Sequence, residues 1–117
     1  MNIVVELYQE GLRAKGTIKG EIDAFTAPLL REKLNEIELK EGLRVELDLT
    51  DVTYMDSTGL GVFVGFYKNA NESNVQMELT GLSSRLKRLF DITGLGEIMD
   101  IQTTDEEVKI LAEGIYK

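Results

Sequence analysis

The stretch Leu47–Ala70, LDLTDVTYMDSTGLGVFVGFYKNA, decides the fold of this chain. It begins with alternating apolar residues, which are typical of a half-buried strand. A polar turn that ends in Met55–Gly59 is predicted next, and an apolar pattern of helical length then covers Thr58–Asn71. We predict a strand over Arg44–Leu49 that is central in a sheet and parallel to the strand after the helix, because strand–helix–strand units form parallel pairs.

Ser57 stands where this helix is predicted to start, so its side-chain oxygen can accept a hydrogen bond from an amide of the first turn. The first helical amides are unpaired and carry partial positive charge, so anions are tolerated beside them. The position therefore suits a serine that is phosphorylated part of the time. From position alone, a simple cap is about ten times more common.

Three glycines in the following helix favour a functional role for Ser57 over that of a simple cap: Gly59, Gly61 and Gly65. Each glycine lowers helix stability by about 1 kcal/mol relative to alanine, so three on one side of the helix indicate that another group packs closely against that side. The helix is also apolar on more sides than a surface helix needs. Its apolar residues are Leu60, Val62, Phe63, Val64, Phe66 and Tyr67. Either the helix is deeply buried, or its second face binds a partner, and the pattern gives these alternatives equal weight.

The whole pattern predicts an α/β fold of order ββαβαβαβα, with about five strands in a mostly parallel or mixed sheet and about four helices. The other strands are predicted at Ile3–Tyr8, Leu12–Lys19, Val75–Leu79 and within Leu95–Ile101, with the first two forming an antiparallel hairpin and Gly20–Asp23 a turn. One helix is capped by Thr26, with Pro28 in its first turn and the stripe Leu30, Leu34 and Ile37. Another is capped by Ser83 or Ser84, runs to about Asp91 and is terminated by Gly94. A last helix covers Asp105–Tyr116.

The composition excludes several classes of protein. The 117 residues predict a single domain, 1–117. The net charge of −8 repels nucleic acid and anionic membranes. An acidic surface also suits a basic protein partner, but we favour solubility as the reason for the charge. The absence of cysteine excludes disulfides and thiolate metal sites. We see no signal peptide pattern and no membrane span, so we expect a cytoplasmic protein.

The same composition argues against an enzyme. Without histidine there is no Ser-His-Asp triad, and Lys68 lies about three helical turns from Ser57, too far for a dyad. The glycine spacing over Gly59–Gly65 does not match a dinucleotide fingerprint. We therefore expect neither a catalytic residue nor a metal or cofactor.

The run Tyr54–Gly61, YMDSTGLG, resembles the phosphorylation-site signature of the anti-sigma factor antagonists in the STAS domain family. The segments Gly20–Asp23 and Arg85–Leu95 resemble two further family segments in the expected order. The resemblance extends over nearly the whole chain and is greatest to the general-stress, sigma-B type of bacterial antagonist.

The resemblance implies a switch between partners. The unphosphorylated form binds an anti-sigma factor that is also a serine kinase, which releases a sigma factor and activates transcription. Phosphorylation of Ser57 breaks that binding, and a serine phosphatase of the PP2C type restores it. Direct DNA binding and a membrane have no part. The alternative is a STAS-type scaffold or regulatory module of another signalling complex or transporter.

The residues expected at the partner site are Asp23, Asp56, Ser57, Thr58, Gly59, Gly61, Val62 and Gly65. The resemblance implies that the Asp23 loop lies beside Ser57. Asp23 either orients the serine hydroxyl or bonds local amides, with equal weight, whereas the local role is favoured for Asp56. Thr58 is a rival phosphoacceptor, expected to be less exposed than Ser57. The spacing of the basic residues Arg85, Lys87 and Arg88 assigns them no role.

Overall fold

The computed structural model describes residues 2–94 and the backbone of residues 100–103. The strands are β1 Ile3–Glu10, β2 Arg13–Ile22, β3 Arg44–Met55, β4 Gln76–Leu82 and β5 Asp100–Thr103. Within the described part, the helices are α1 Ala27–Leu34, α2 Ser57–Glu72 and α3 Ser84–Ile92. The predicted helix over Asp105–Tyr116 lies outside the described residues.

The strands form one mixed sheet in the order β1-β2-β3-β4-β5. The β1–β2 pair is an antiparallel hairpin, and every later pair is parallel. The predicted hairpin and the central position of β3, parallel to β4, are thus confirmed. The coarse prediction of a mixed α/β sheet holds, although several element boundaries differ. The last described strand begins at Asp100, inside the segment Leu95–Ile101 in which it was predicted, and continues to Thr103.

One face of the sheet carries the core. Alternate residues of β2, including Ala14 and Ile18, are buried, whereas the residues between them face solvent. The buried sides of all three helices join the same apolar cluster. Within this cluster the rings of Phe63 on α2 and Phe90 on α3 pack edge to face, with 6.3 Å between their centroids. The helices therefore cover one face of the sheet, which leaves their outer surfaces for function.

The opposite face of the sheet carries charges that neutralise one another across strands. Lys15 on β2 lies 3.6 Å from the carboxylate of Glu46 on β3. Burial alone would raise the pKa of Asp48, but hydrogen bonds from Thr50 and the charges of Lys15 and Lys19 outweigh it and lower that pKa. Exposed pairs of this kind contribute about 0–1 kcal/mol each. This face is therefore charged and suited to water.

Two predicted turns are instead parts of strands. The turn predicted at Gly20–Asp23 belongs to β2 as far as Ile22, because Gly20 takes a φ of +106° at a shift in register and the strand continues past it. Likewise β3 continues beyond Leu49 to Met55 and pairs with the end of β2. Buried Val52 supports the longer strand. The extension brings the start of α2 against the loop that follows β2.

The ends of α1 and α3 show how far local signals reach. Of the two serines predicted as alternative caps of α3, Ser83 is the cap, since its Oγ accepts from the amide of Leu86 at 3.2 Å. Gly94 follows the helix with a φ of +80°. The first helix is shorter than its apolar stripe, because it ends at Leu34 while Ile37 is buried beyond it. Thr26 occupies the cap position of α1, but its side chain makes no capping hydrogen bond.

Candidate functional site

The N-terminus of α2 is capped by Asp56 rather than by Ser57. The backbone of Asp56 is extended, and its Oδ1 accepts from the amides of Thr58 at 2.9 Å and Gly59 at 3.1 Å. Aspartate and serine are about equally good caps, so a sequence that places them side by side does not choose between them. The prediction that Ser57 is the cap is wrong, while the local role favoured for Asp56 is confirmed.

Ser57 is therefore the first residue inside the helix, and it is exposed. Its hydroxyl makes no hydrogen bond to any residue in the described part of the chain. The capping carboxylate already occupies the two amides that a phosphate on Ser57 could otherwise use. Asp56 and a phosphate would also repel each other, so the helix terminus offers less to a phosphate than the sequence predicts.

This assignment makes a prediction about stability. Asp56→Ala is expected to lower the free energy of unfolding by about 0.5–2 kcal/mol, because it removes the acceptor of two helix amides. Ser57→Ala is expected to change it by no more than about 0.5 kcal/mol, as for other surface positions. Urea denaturation of both variants measures the difference. A loss in Ser57→Ala as large as that in Asp56→Ala would contradict the assignment of the cap.

The Asp23 loop lies beside the start of α2, as the resemblance implies. The amide of Asp56 donates to the carbonyl of Ile22 at 3.2 Å. Asp23 itself is only 7% exposed, and its Oδ1 accepts from the amides of Phe25 at 2.9 Å and Thr26 at 3.0 Å. These bonds give Asp23 a local role in shaping the loop. A direct contact between Asp23 and a partner stays a prediction.

The three helical glycines do not share one role. A Cβ on Gly59 would lie 2.5 Å from Cγ2 and 2.9 Å from the carbonyl oxygen of Ile22. The close approach predicted at this glycine therefore comes from the chain's own second strand, and Gly59 is buried by it. A Cβ on Gly61 or Gly65 would meet no atom within 4 Å. Only these two glycines leave open space on the surface of α2.

Gly61 and Gly65 line a groove of about 170 Å³ between α1 and α2. Its other lining residues are Arg31, Leu34, Asn35, Val62, Phe66 and Asn69. Val62 and Phe66 are almost completely buried, so they form the bottom of the groove. A contact between Val62 and a partner stays a prediction. Each of the two alternatives for α2 thus describes one part of it. The apolar flank packs in the core, and the glycine flank is open.

Exposure does not separate the two candidate phosphoacceptors. Thr58 is exposed, as Ser57 is, contrary to the expectation that it would be less accessible. The choice of Ser57 therefore rests on the motif and stays a prediction.

The basic residues of α3 have different surroundings. Lys87 pairs with Asp91 at 2.8 Å, which is an ordinary surface ion pair one turn apart. Arg85 and Arg88 line a cavity of about 230 Å³ between the end of β3 and α3, together with Tyr54 and several apolar side chains. Among residues 2–94 and 100–103, no group of acidic side chains has the arrangement of a metal site. No helix in this part of the chain is long and apolar enough to span a membrane.

Phe25 is not among the residues that the sequence predicts for this site. Its side chain is 83% exposed in the Asp23 loop, three residues after Ile22, whose carbonyl accepts from the amide of Asp56 before α2. The sequence signal at this position is an aspartate two residues before Phe25, which is a common turn pattern. In the structure the Asp23 carboxylate accepts from the amide of Phe25, as that pattern predicts. That pattern predicts a turn, but it does not predict how exposed the ring is.

Comparison with known proteins identifies the family. The STAS domain model matches residues 15–108. A Listeria monocytogenes protein named anti-sigma-B factor antagonist is 46% identical over 92% of this chain and 96% of its own length. A Bacillus subtilis protein of the same name is 48% identical over 91% and 96%. The solved structure of the anti-sigma factor antagonist SpoIIAA from Bacillus shares the fold, with a TM-score of 0.68 at 20% identity over 96% of this chain and 98% of that one. The chain therefore belongs to the STAS domain family and, within it, to the anti-sigma-B factor antagonists.

Proposed function

We propose that this protein is a phosphorylation-controlled antagonist of an anti-sigma factor, with Ser57 as the switch. The unphosphorylated form binds the anti-sigma factor in the cytoplasm and so releases a sigma factor for transcription. The observation that carries this proposal is the exposed hydroxyl of Ser57, between the Asp23 loop and the open groove at Gly61 and Gly65. A partner that covers this area must cover Ser57 as well.

A phosphate on Ser57 would then act through charge alone. It adds about −1.5 to −2 charges beside the Asp56 carboxylate. The surface stays folded because Ser57 is exposed and is not the cap of α2. In a protein interface that charge must lose its water, which costs several kcal/mol unless it is paired. A hundredfold loss of affinity needs only about 2.8 kcal/mol. The switch therefore works without any change of fold.

The anti-sigma factor is also the kinase in this proposal, and a PP2C-type phosphatase reverses the reaction. Such a cycle needs a serine that is accessible to both enzymes, which Ser57 is. SpoIIAA has been described in unphosphorylated and phosphorylated forms, so a protein of this fold accommodates the modification.

Phosphorylation itself gives the first test. The immobilised protein is used to retain its partner from a lysate of its own organism, and the partner is identified by mass spectrometry and purified. Incubation with ATP is expected to place phosphate on Ser57 of the wild type, to leave Ser57→Ala unmodified and to modify Thr58→Ala normally. Phosphorylation of Thr53 or Thr58 while Ser57 stays unmodified would contradict the proposal. Retention of scaffold components without an anti-sigma factor would favour the alternative STAS role.

The open groove gives a second test. Gly61→Leu is expected to weaken binding of the purified anti-sigma factor by at least about 2 kcal/mol, the scale of an interface hot spot, because the new side chain fills the groove. The free protein should stay folded, since nothing lies near that Cβ and leucine favours helix more than glycine does. Glu6→Leu is the matched control, because it adds a leucine on the face of the sheet opposite the helices, away from the groove. Calorimetric titration measures the affinity, and a melting curve from the same preparation shows whether the variant is folded. Unchanged affinity in Gly61→Leu would exclude the groove from the interface.

A further inference from the structure

Phe25 has the highest exposure of the large hydrophobic side chains in the described part of the chain, at 83%. A single exposed hydrophobic residue is ordinary on any protein surface. Phe25, however, precedes the cap position of α1, where such a residue commonly packs against the fourth residue of the helix. Here that residue is Leu30, which is fully buried, and the exposed ring of Phe25 makes no such packing contact. The ring therefore has no evident part in stabilising the fold.

The loop nevertheless holds Phe25 in one backbone position. The Asp23 carboxylate accepts from the Phe25 amide at 2.9 Å, and the Thr26 hydroxyl donates to the Glu21 carbonyl at 2.8 Å. The amide of Asp23 donates back to the Thr26 hydroxyl at 2.9 Å. Asp23 and Thr26 are the buried polar residues of the described part of the chain, and they hydrogen-bond to each other on either side of Phe25 in the sequence. The backbone that carries the ring is therefore already ordered before binding, which lowers the entropic cost of binding.

The position of this loop connects Phe25 with the switch. Its neighbour Ile22 accepts the amide hydrogen of Asp56, the residue before Ser57, and packs against Gly59. Leu29, in the first turn of α1, is a second apolar residue with partial exposure, at 41%. Exposed Tyr8, by contrast, lies on the charged opposite face of the sheet.

We propose that Phe25 is the anchor residue of the anti-sigma factor interface, and that its ring enters an apolar pocket of the partner beside Ser57. This inference rests on the proposed function, since it names the contact that the switch controls. Phosphate on Ser57 then prevents the ring from being seated, because the charged group lies at the edge of the same contact. Aromatic residues are enriched among such anchors, which occupy desolvated pockets near the centre of an interface.

The test measures the affinity of the purified, unphosphorylated protein for the purified anti-sigma factor by calorimetric titration. Phe25→Ala is expected to weaken binding by about thirtyfold or more, the effect of a hot spot, with an unchanged melting temperature. Phe25→Leu, which keeps an apolar side chain of similar length, should lose clearly less. Tyr8→Ala is the matched control, because it removes a second exposed aromatic ring from the other face of the sheet, and its affinity should equal that of the wild type.

The possible failures are distinguishable. If the wild type binds the anti-sigma factor, Ser57→Asp does not, and Phe25→Ala binds as tightly as the wild type, the anchor is excluded while the proposed function stands. An equal loss in Tyr8→Ala would also overturn the anchor, since the effect would then not be local. If the wild type does not bind an anti-sigma factor, both proposals fall together.

Discussion

Ser57→Asp is expected to lower the affinity for the anti-sigma factor at least about a hundredfold, which corresponds to about 2.8 kcal/mol. The substitution places a permanent negative charge at the first position of α2, next to the capping carboxylate of Asp56. A partner surface that covers this position must desolvate both charges. The free energy of unfolding should change by no more than about 0.5 kcal/mol, because Ser57 is exposed and caps nothing.

Two further substitutions separate charge from shape at this position. Ser57→Asn has nearly the size of the aspartate without its charge, so it should retain most of the affinity. Ser57→Ala should bind as the wild type does and should resist inactivation by the kinase and ATP. Calorimetric titrations of the three variants, with urea denaturation of each, give both quantities. Equal affinity of Ser57→Asp and the wild type would show that charge at Ser57 is not the switch.

Gly59→Ala is expected to lower the free energy of unfolding by about 1–3 kcal/mol, the usual cost of adding a methyl group to a filled core. Its Cβ would lie 2.5 Å from a methyl carbon of Ile22 and 2.9 Å from the Ile22 carbonyl oxygen, and that backbone atom cannot move without disturbing the Asp56 hydrogen bond. The start of α2 would have to shift away from β2.

Gly61→Ala is the control for that experiment. It lies on the same helix, but a Cβ there meets nothing within 4 Å. The better helix propensity of alanine should raise stability by up to about 1 kcal/mol. Urea denaturation under identical conditions compares the two variants. Effects of the same sign would mean that the environments assigned to the two glycines are wrong.

Much of the fold could be predicted from local patterns. The hairpin of β1 and β2, the central strand β3 and the helix after Asp56 follow from alternation and helical periodicity, which depend on neighbours in the sequence. A serine cap for α3 was also predictable, although the sequence left Ser83 and Ser84 as alternatives and the structure decided for Ser83. The ends of β2 and β3 were not. Both strands continue through polar residues because each completes the other's hydrogen bonds.

The sequence by itself determined the family motif, the order of the described elements and the candidate switch at Ser57. Only the tertiary structure decided which neighbour caps α2, which helical glycine is pressed against a strand and which is open, and that Phe25 is exposed. The reason is that these properties depend on contacts between distant parts of the chain. Asp56 is held in its capping position by the carbonyl of Ile22, and the same residue closes the space at Gly59. A local sequence pattern around α2 does not show that Ile22 is its neighbour. The shape of this surface is therefore decided by the packing of β2 against α2.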